Sequence, residues 1–300
     1  MRFDLGAFAL AATMVAGCSA LQPVGKASKS DHPSPTIARI RERGALVIGL
    51  SGDQPPLNST EKTGEIVGLE PDIARLLADS LGFELRMVTK PFNELLPALM
   101  AGEVDAVISG MTMTPERNLD VAFVGPYFVS GKSVLAKAKT IKGISQPADL
   151  DNPKMRLVAL AGSTSEIFVR ELLPKAQLLT APTYEQGVQM VLKDQADALV
   201  ADFPYCVLQV LEHPEAKLVT LGEPFTYEPL GIATAGNDPL FTNLVTNFLI
   251  TMEGTGRLFE MKVRWFSDGP WLDEMEPERK PPRKKKAGEQ SASLELRADG

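Results

Sequence analysis

From Ala45 to about Ala201 the chain alternates short apolar, β-branched runs with stretches whose apolar residues recur every three to four positions. The short runs read as strands and the periodic stretches as amphipathic helices. The pattern predicts a strand over Ala45–Leu50, a helix over Leu69–Leu81 ended by Gly82, and a strand over Phe83–Val88. It continues with a helix over Pro91–Ala101, closed by Gly102, and a strand over Val104–Ser109. A second stretch runs in the same order: strand Arg156–Ala161, helix Ser165–Leu173, strand Gln177–Leu179, helix Tyr184–Lys193 and strand Ala196–Ala201. Such alternation implies parallel strands with helices on both faces.

The two stretches also correspond in detail. Gly102-Glu103-Val104-Asp105-Ala106-Val107-Ile108 aligns with Asp194-Gln195-Ala196-Asp197-Ala198-Leu199-Val200 at an offset of 197 − 105 = 92, and at that offset Phe92 matches Tyr184. A repeat of this size implies two similar α/β lobes rather than one long sheet. Ligands of such sheets bind beyond the carboxyl ends of the strands, so two facing lobes enclose a cleft.

The segments outside this body differ in kind. Residues 1–17 carry Arg2 and an apolar stretch, Leu5–Ala16, that is shorter than the roughly 20 residues a spanning helix needs; they read as an export signal. Val15-Ala16-Gly17-Cys18-Ser19 resembles the lipobox of bacterial lipoproteins, which implies lipidation of Cys18 and a membrane anchor. Residues 18–36, rich in Ser, Pro, Lys and Ala, read as a flexible tether, and 273–300 as a disordered, charged but overall neutral tail with a basic block at Arg279–Lys286.

Composition narrows the chemistry. With 44% hydrophobic and 23% charged residues among 300, the chain is that of a soluble globular protein. Its 31 basic and 38 acidic residues leave a net charge of −7, so no general basic surface invites nucleic acid. Cys18 and Cys206, with His32 and His213, are too few for a disulfide framework, a cysteine-rich zinc site or most metal centres, and no cofactor is expected. Cys206, among apolar neighbours, reads as a packing residue.

Three places could hold a ligand. After the strand Val104–Ser109, Thr114 is a good helix N-cap and Pro115 a favoured first helical residue, which sets Arg117 in the first turn. A guanidinium fork beside free backbone N–H groups makes an anion site; the alternative is an unpartnered surface arginine. Ser163 and Glu166 have capping-box spacing, while the Ser163 backbone N–H and the Thr164 hydroxyl could also face an anion. Asp202 is either another N-cap or a carboxylate facing a ligand's ammonium from the side opposite Arg117, which would complete a clamp for a zwitterion.

Residues 45–135 resemble the N-terminal lobe of family 3 of the bacterial extracellular solute-binding proteins, the polar amino-acid receptors of ABC importers. The matching runs are Gly68-Leu69-Glu70-Pro71-Asp72-Ile73-Ala74, Leu96-Pro97-Ala98-Leu99, Val104 through Arg117, and Gly125-Pro126-Tyr127-Phe128, and a weaker likeness continues to about Trp271. The resemblance implies a type II periplasmic-binding-protein fold: two α/β lobes joined by two hinge strands near Val129–Ser133 and Glu228–Gly231. Lobe one would comprise 37–131 and 228–272, and lobe two 132–227.

By position, the resemblance assigns the ligand's α-carboxylate to Arg117, Thr112 and Gly110 with help from Ser163 and Thr164, its α-ammonium to Asp202, and its side chain to Phe92. The first loop departs from the family pattern. Ser51 stands where an acid is common and Gln54 where an aromatic ring is common, which disfavours a basic ligand. The implied protein is a monomeric, lipid-anchored receptor on the extracytoplasmic side that delivers an amino acid or related carboxylate to an ABC permease. Two alternatives stay open: a cyclohexadienyl dehydratase-like enzyme acting on arogenate or prephenate, with Glu166 as the candidate acid, and a sensory or cell-wall-associated lobe pair without a transport partner.

Overall fold

The computed structural model describes residues 33–142, 144 and 146–266. Cys18, the export signal, most of the tether and the basic tail lie outside the described residues. In chain order the elements are α1 Pro35–Arg43, β1 Ala45–Leu50, β2 Asp53–Gln54, β3 Asn58–Thr60, β4 Ile66–Val67, α2 Leu69–Leu81, β5 Glu84–Thr89, α3 Leu95–Met100, β6 Ala106–Val107, β7 Val121–Ser130 and β8 Lys132–Lys137. There follow β9 Arg156–Leu160, α4 Thr164–Leu172, β10 Gln177–Ala181, α5 Tyr184–Leu192, β11 Ala198–Asp202, α6 Phe203–Glu212, β12 Leu218–Thr220, β13 Glu228–Ala235, α7 Pro239–Gly254 and α8 Arg257–Phe266.

Two five-stranded sheets form the lobes, in the orders β5-β1-β6-β13-β7 and β10-β9-β11-β8-β12. Within each, the three strands of the repeated unit are parallel, as the alternation predicts. The remaining two strands of each sheet join it through antiparallel pairings, with β13 and β8 running against the others, so the sheets are mixed rather than all parallel. The cause is the crossing between lobes. β7 leaves the first sheet and becomes β8 of the second after one residue, Gly131, and the chain returns between β12 and β13. The two crossings lie side by side, with Ser130 opposite Glu228 and Val129 opposite Pro229. A small antiparallel sheet, β2-β3-β4, adds to the first lobe.

Local chemistry explains the boundaries. Gly82 closes α2 in the left-handed conformation at φ 71°, with its N–H on the last-turn carbonyls. The repeated segments share backbone geometry: Gly102 and Asp194 both take left-handed φ, at 73° and 57°. Asp105 and Asp197 then each tie their own strand to the first strand of their lobe. Val47 N donates to Asp105 at 2.9 Å and Arg156 N to Asp197 at 2.8 Å, while Arg43 and Arg156 pair with the respective carboxylates. The repeat is thus one structural unit used twice.

Two predicted elements are shorter than expected. The strand over Val104–Ser109 reduces to Ala106–Val107, since the chain leaves the ladder early to form the ligand-side loop. The helix over Pro91–Ala101 splits into a 3₁₀ turn, Phe92–Glu94, and α3, with Pro97 inside the short helix. Apolar side chains fill the space between sheets and helices, among them Ile48, Leu50, Ile73, Leu77, Phe241 and Val245 in lobe one and Val158, Val169, Val188 and Leu199 in lobe two. Cys206 is fully buried in the core, and burial raises its thiol pKa well above the ordinary value.

Asp238 fastens the ends of lobe one together. Its carboxylate, fully buried, accepts from Ser34 Oγ at 2.7 Å, Thr36 N at 2.8 Å and Phe241 N at 3.1 Å, so one residue caps α7 and holds the start of α1. Asp238→Ala should lower stability by about 1–3 kcal/mol through the lost cap and the orphaned donors. Denaturant melts read this directly, and an unchanged midpoint would refute it.

Candidate functional site

The carboxyl ends of the parallel strands of both lobes meet across the cleft, and the two lobes touch there. Arg117 of lobe one lies in a single 3₁₀ turn, Arg117–Leu119, and its N–H bonds to Thr114 Oγ at 3.2 Å. Thr114 Oγ thus takes one N–H of the turn, but Glu116 rather than Thr114 directly precedes it and no longer helix follows, so the expected helix start contributes only one turn. The guanidinium donates through Nη1 to Thr112 O at 2.9 Å and through Nη2 across the cleft to Gly162 O at 3.1 Å. It lies over the Phe92 ring, 5.6 Å from the centroid. Burial pulls its pKa below the ordinary arginine value, with Glu228 opposing. Arg117 is half-buried at the lobe boundary and is not an unpartnered surface residue.

Thr112 and Thr164 approach each other across the cleft, hydroxyl to hydroxyl at 3.4 Å, and Thr164 also donates to Glu228 at 3.0 Å. Gly162 packs so closely against lobe one that a Cβ there would lie 2.8 Å from Asn93 Cβ. Asp53, on β2, accepts the Tyr184 N–H at the start of α5 at 3.1 Å. The lobes are in the closed arrangement.

Asp202 stands at the N-cap position of α6 but does not cap it with its side chain, which turns into the cleft. Its Oδ1 accepts from Ser130 Oγ at 2.9 Å and Lys132 Nζ at 3.1 Å, and its Oδ2 from Gln54 Nε2 at 3.0 Å and the Tyr184 hydroxyl at 3.1 Å. Lys132 also lies 3.8 Å from Glu228 Oε2. The buried lysine and the two acids stand where the two crossings meet, and the sequence reading of the site missed Lys132, Glu228, Ser130 and Tyr184. A lysine interrupting the apolar run from Tyr127 to Ala136 was the available signal.

Other predicted site residues are engaged elsewhere. The Gly110 N–H donates to Glu70 at 2.6 Å, so it is occupied within the protein rather than open to a ligand carboxylate. The value of glycine here is space: at φ 55°, a Cβ would sit 2.2 Å from Gln54 Oε1. The Ser163 hydroxyl caps α4 by accepting Glu166 N at 3.3 Å and donates to Leu160 O at 2.7 Å, and its N–H also bonds Leu160 O. Both of its groups are used. The capping box is only half formed, because Glu166 accepts from Gly162 N and pairs with Arg170 instead of returning to Ser163. Ser51 bonds Asn58 and Ser109. Phe92 is buried beneath Arg117 with the apolar core of lobe one.

A second buried acid supports the loop. Glu70 is fully buried and accepts from Gly110 N, from Asn58 Nδ2 at 2.5 Å and from the Tyr127 hydroxyl. Burial raises its pKa above the ordinary 4.5, although these hydrogen bonds oppose the rise. Between the two values the folded chain keeps a proton that the unfolded chain releases, so stability falls as pH rises through that window. Melts of wild type and Glu70→Gln from about pH 4 to 8 should show wild type losing ground to the variant as pH rises. A constant difference across the range would refute it. Among the described residues no cluster of His, Cys, Asp and Glu could hold a metal, and no helix is long and apolar enough to cross a membrane.

Residues 46–268 match the family model described as bacterial extracellular solute-binding proteins, family 3. The chain is 29% identical to the ABC transporter glutamine-binding protein GlnH of Bacillus subtilis over 277 residues, covering 89% of this chain and 98% of that protein. It is 27% identical to cyclohexadienyl dehydratase of Pseudomonas aeruginosa over 76% of this chain and 85% of that enzyme. Among solved structures, a binding component of an ABC transporter from Wolinella succinogenes, in complex with lysine, superposes with a TM-score of 0.71 at 38% identity, covering 77% of this chain and 99% of that one.

Proposed function

The chain belongs to family 3 of the bacterial extracellular solute-binding proteins, and from that premise we propose that it is an extracytoplasmic receptor which takes a small carboxylate solute, in the first place an amino acid, into the interlobe cleft and delivers it to an ABC permease. The observation that carries the reading is the position of Arg117: its guanidinium lies at the lobe boundary and bonds both Thr112 O of its own lobe and Gly162 O of the other. A carboxylate seated there, with the Thr112 and Thr164 hydroxyls beside it, favours the closed form. Closure excludes water and strengthens each charged contact, and the ligand's greater affinity for the closed form shifts the equilibrium between lobe positions.

Lipidation of Cys18 would hold the receptor at the membrane, and the monomer needs no second copy to complete the cleft. Cys18→Ser should move the protein from the membrane to the soluble fraction on cell fractionation; continued sedimentation with membranes would exclude the lipid anchor. Receptor function itself is tested by a thermal-shift screen of the common amino acids and small dicarboxylates. Ligand at about 100 times its Kd adds roughly 2.7 kcal/mol of stability, so a few members of the panel should raise the midpoint, and a flat screen would oppose the reading.

The similarity to a cyclohexadienyl dehydratase keeps an enzyme as the second reading. Glu166, the acid nominated from sequence, is engaged by Arg170 and by Gly162 N, which leaves it poorly placed to give up a proton to a substrate. Incubation with prephenate is expected to yield no phenylpyruvate; turnover would move the protein into the enzyme class.

A further inference from the structure

An ammonium from a ligand must find acceptors, and the obvious one is already saturated. A carboxylate offers about four lone-pair sites. Asp202 accepts from four donors: Ser130, Lys132, Gln54 and Tyr184. Lys132 is 1% exposed and Asp202 3% exposed, and they are register partners on adjacent strands β8 and β11 of the same lobe. The pair therefore does not depend on closure: a ligand entering the open cleft meets an acid whose charge has already been met. A buried ammonium persists only when it is paired in this way.

We infer that Lys132 is a built-in ammonium, supplying from within the protein the positive charge a free amino acid would bring, so that the cleft accepts small carboxylates lacking an α-amino group, such as 2-hydroxy acids, as well as amino acids. This rests on the reading that a ligand carboxylate docks on Arg117. A ligand ammonium reaches Asp202 by taking the place of one of these donors, either Gln54 from the other lobe, where it meets an acid already paired with Lys132, or Lys132 itself, pushed toward Glu228, whose Oε2 lies 3.8 Å from Nζ. The exchange offsets much of the attraction that an α-ammonium gains in a site with a free acid. The neighbouring acceptor carries no full charge that would favour an ammonium. Gln54 Oε1 is buried without a hydrogen-bond partner and lies against Gly110. As a neutral amide oxygen it can accept from a hydroxyl as well as from an ammonium.

The test compares matched pairs that differ only at the α-substituent: alanine with lactate, glutamate with 2-hydroxyglutarate, and phenylalanine with 3-phenyllactate. Affinities are read by calorimetry on the purified chain. For a pair that binds, the hydroxy acid should bind wild type within about tenfold of the amino acid, where a clamp built on a free acid would discriminate by about a hundredfold or more. Lys132→Met leaves Asp202 without its internal partner and should shift that ratio about a hundredfold toward the amino acid. A wild-type ratio already beyond a hundredfold in favour of the amino acid overturns the inference while leaving the receptor reading intact. Should the variant not fold, the wild-type ratio decides by itself. Failure of every member of every pair to bind removes the docking site on Arg117, and the inference with it.

Discussion

Arg117→Ala is expected to weaken binding of a carboxylate solute by about 2–5 kcal/mol, enough to take a micromolar ligand out of the range of ordinary calorimetry. An arginine carries five N–H donors in a fixed fork. Two of them are held by Thr112 O and Gly162 O, which fixes the plane of the fork and leaves the others for a ligand. The Phe92 ring supports the guanidinium at 5.6 Å. Arg117→Lys keeps the charge but loses the fork, so it should recover only part of the affinity. Because one of the anchoring carbonyls belongs to the other lobe, Arg117→Ala should also leave the protein more open, which small-angle scattering would detect as a larger radius of gyration in the presence of ligand. Unchanged affinity would remove Arg117 from the site.

The second large effect concerns stability. Asp202→Ala leaves Lys132 only the longer contact with Glu228 in a buried site, and the loss of one partner of a buried pair costs about 3–5 kcal/mol. For a chain of this size that corresponds to a drop of the thermal midpoint of roughly 2–4 °C per kcal/mol. The same reasoning gives a control. Replacing both partners with apolar residues, Asp202→Leu together with Lys132→Met, should recover most of the stability. If the single and double variants are equally destabilised, the pair is not the cause. Asp202→Asn, which keeps the shape and loses the charge, should fall between the two.

Much of the architecture was legible because local and global signals agree. α2 begins and ends where its apolar period and Gly82 place it. The internal repeat could be read because a left-handed residue, an acid and an apolar triplet recur at a fixed offset, and each acts mechanically. Gly102 and Asp194 turn the chain, while Asp105 and Asp197 tie the strands. Arg117 and Asp202 were found because they follow strands whose carboxyl ends face the cleft.

The rest depended on tertiary pairing. Gly110 was assigned to a ligand by the family resemblance alone, and its N–H goes instead to Glu70, forty residues earlier. Glu70 itself reads only as an acid favoured in the first turn of a helix. Lys132 and Glu228 lie on strands that cross between lobes, and nothing local says that the two crossings are neighbours. Ser163 was read as a cap with a possible second role; the carbonyl of Leu160 uses its remaining proton.

The adjacency of the two crossings has a mechanical consequence. With Ser130 opposite Glu228, both connections lie on one line, and rotation of one lobe against the other has a single axis there. Displacement grows with distance from that line. Lys132, Asp202, Ser130 and Glu228 lie on it and hardly travel, so the charged heart of the cleft is assembled before any solute arrives. The bridge from Arg117 to Gly162 joins one lobe to the other, so it must break as the jaws part and form again as they shut.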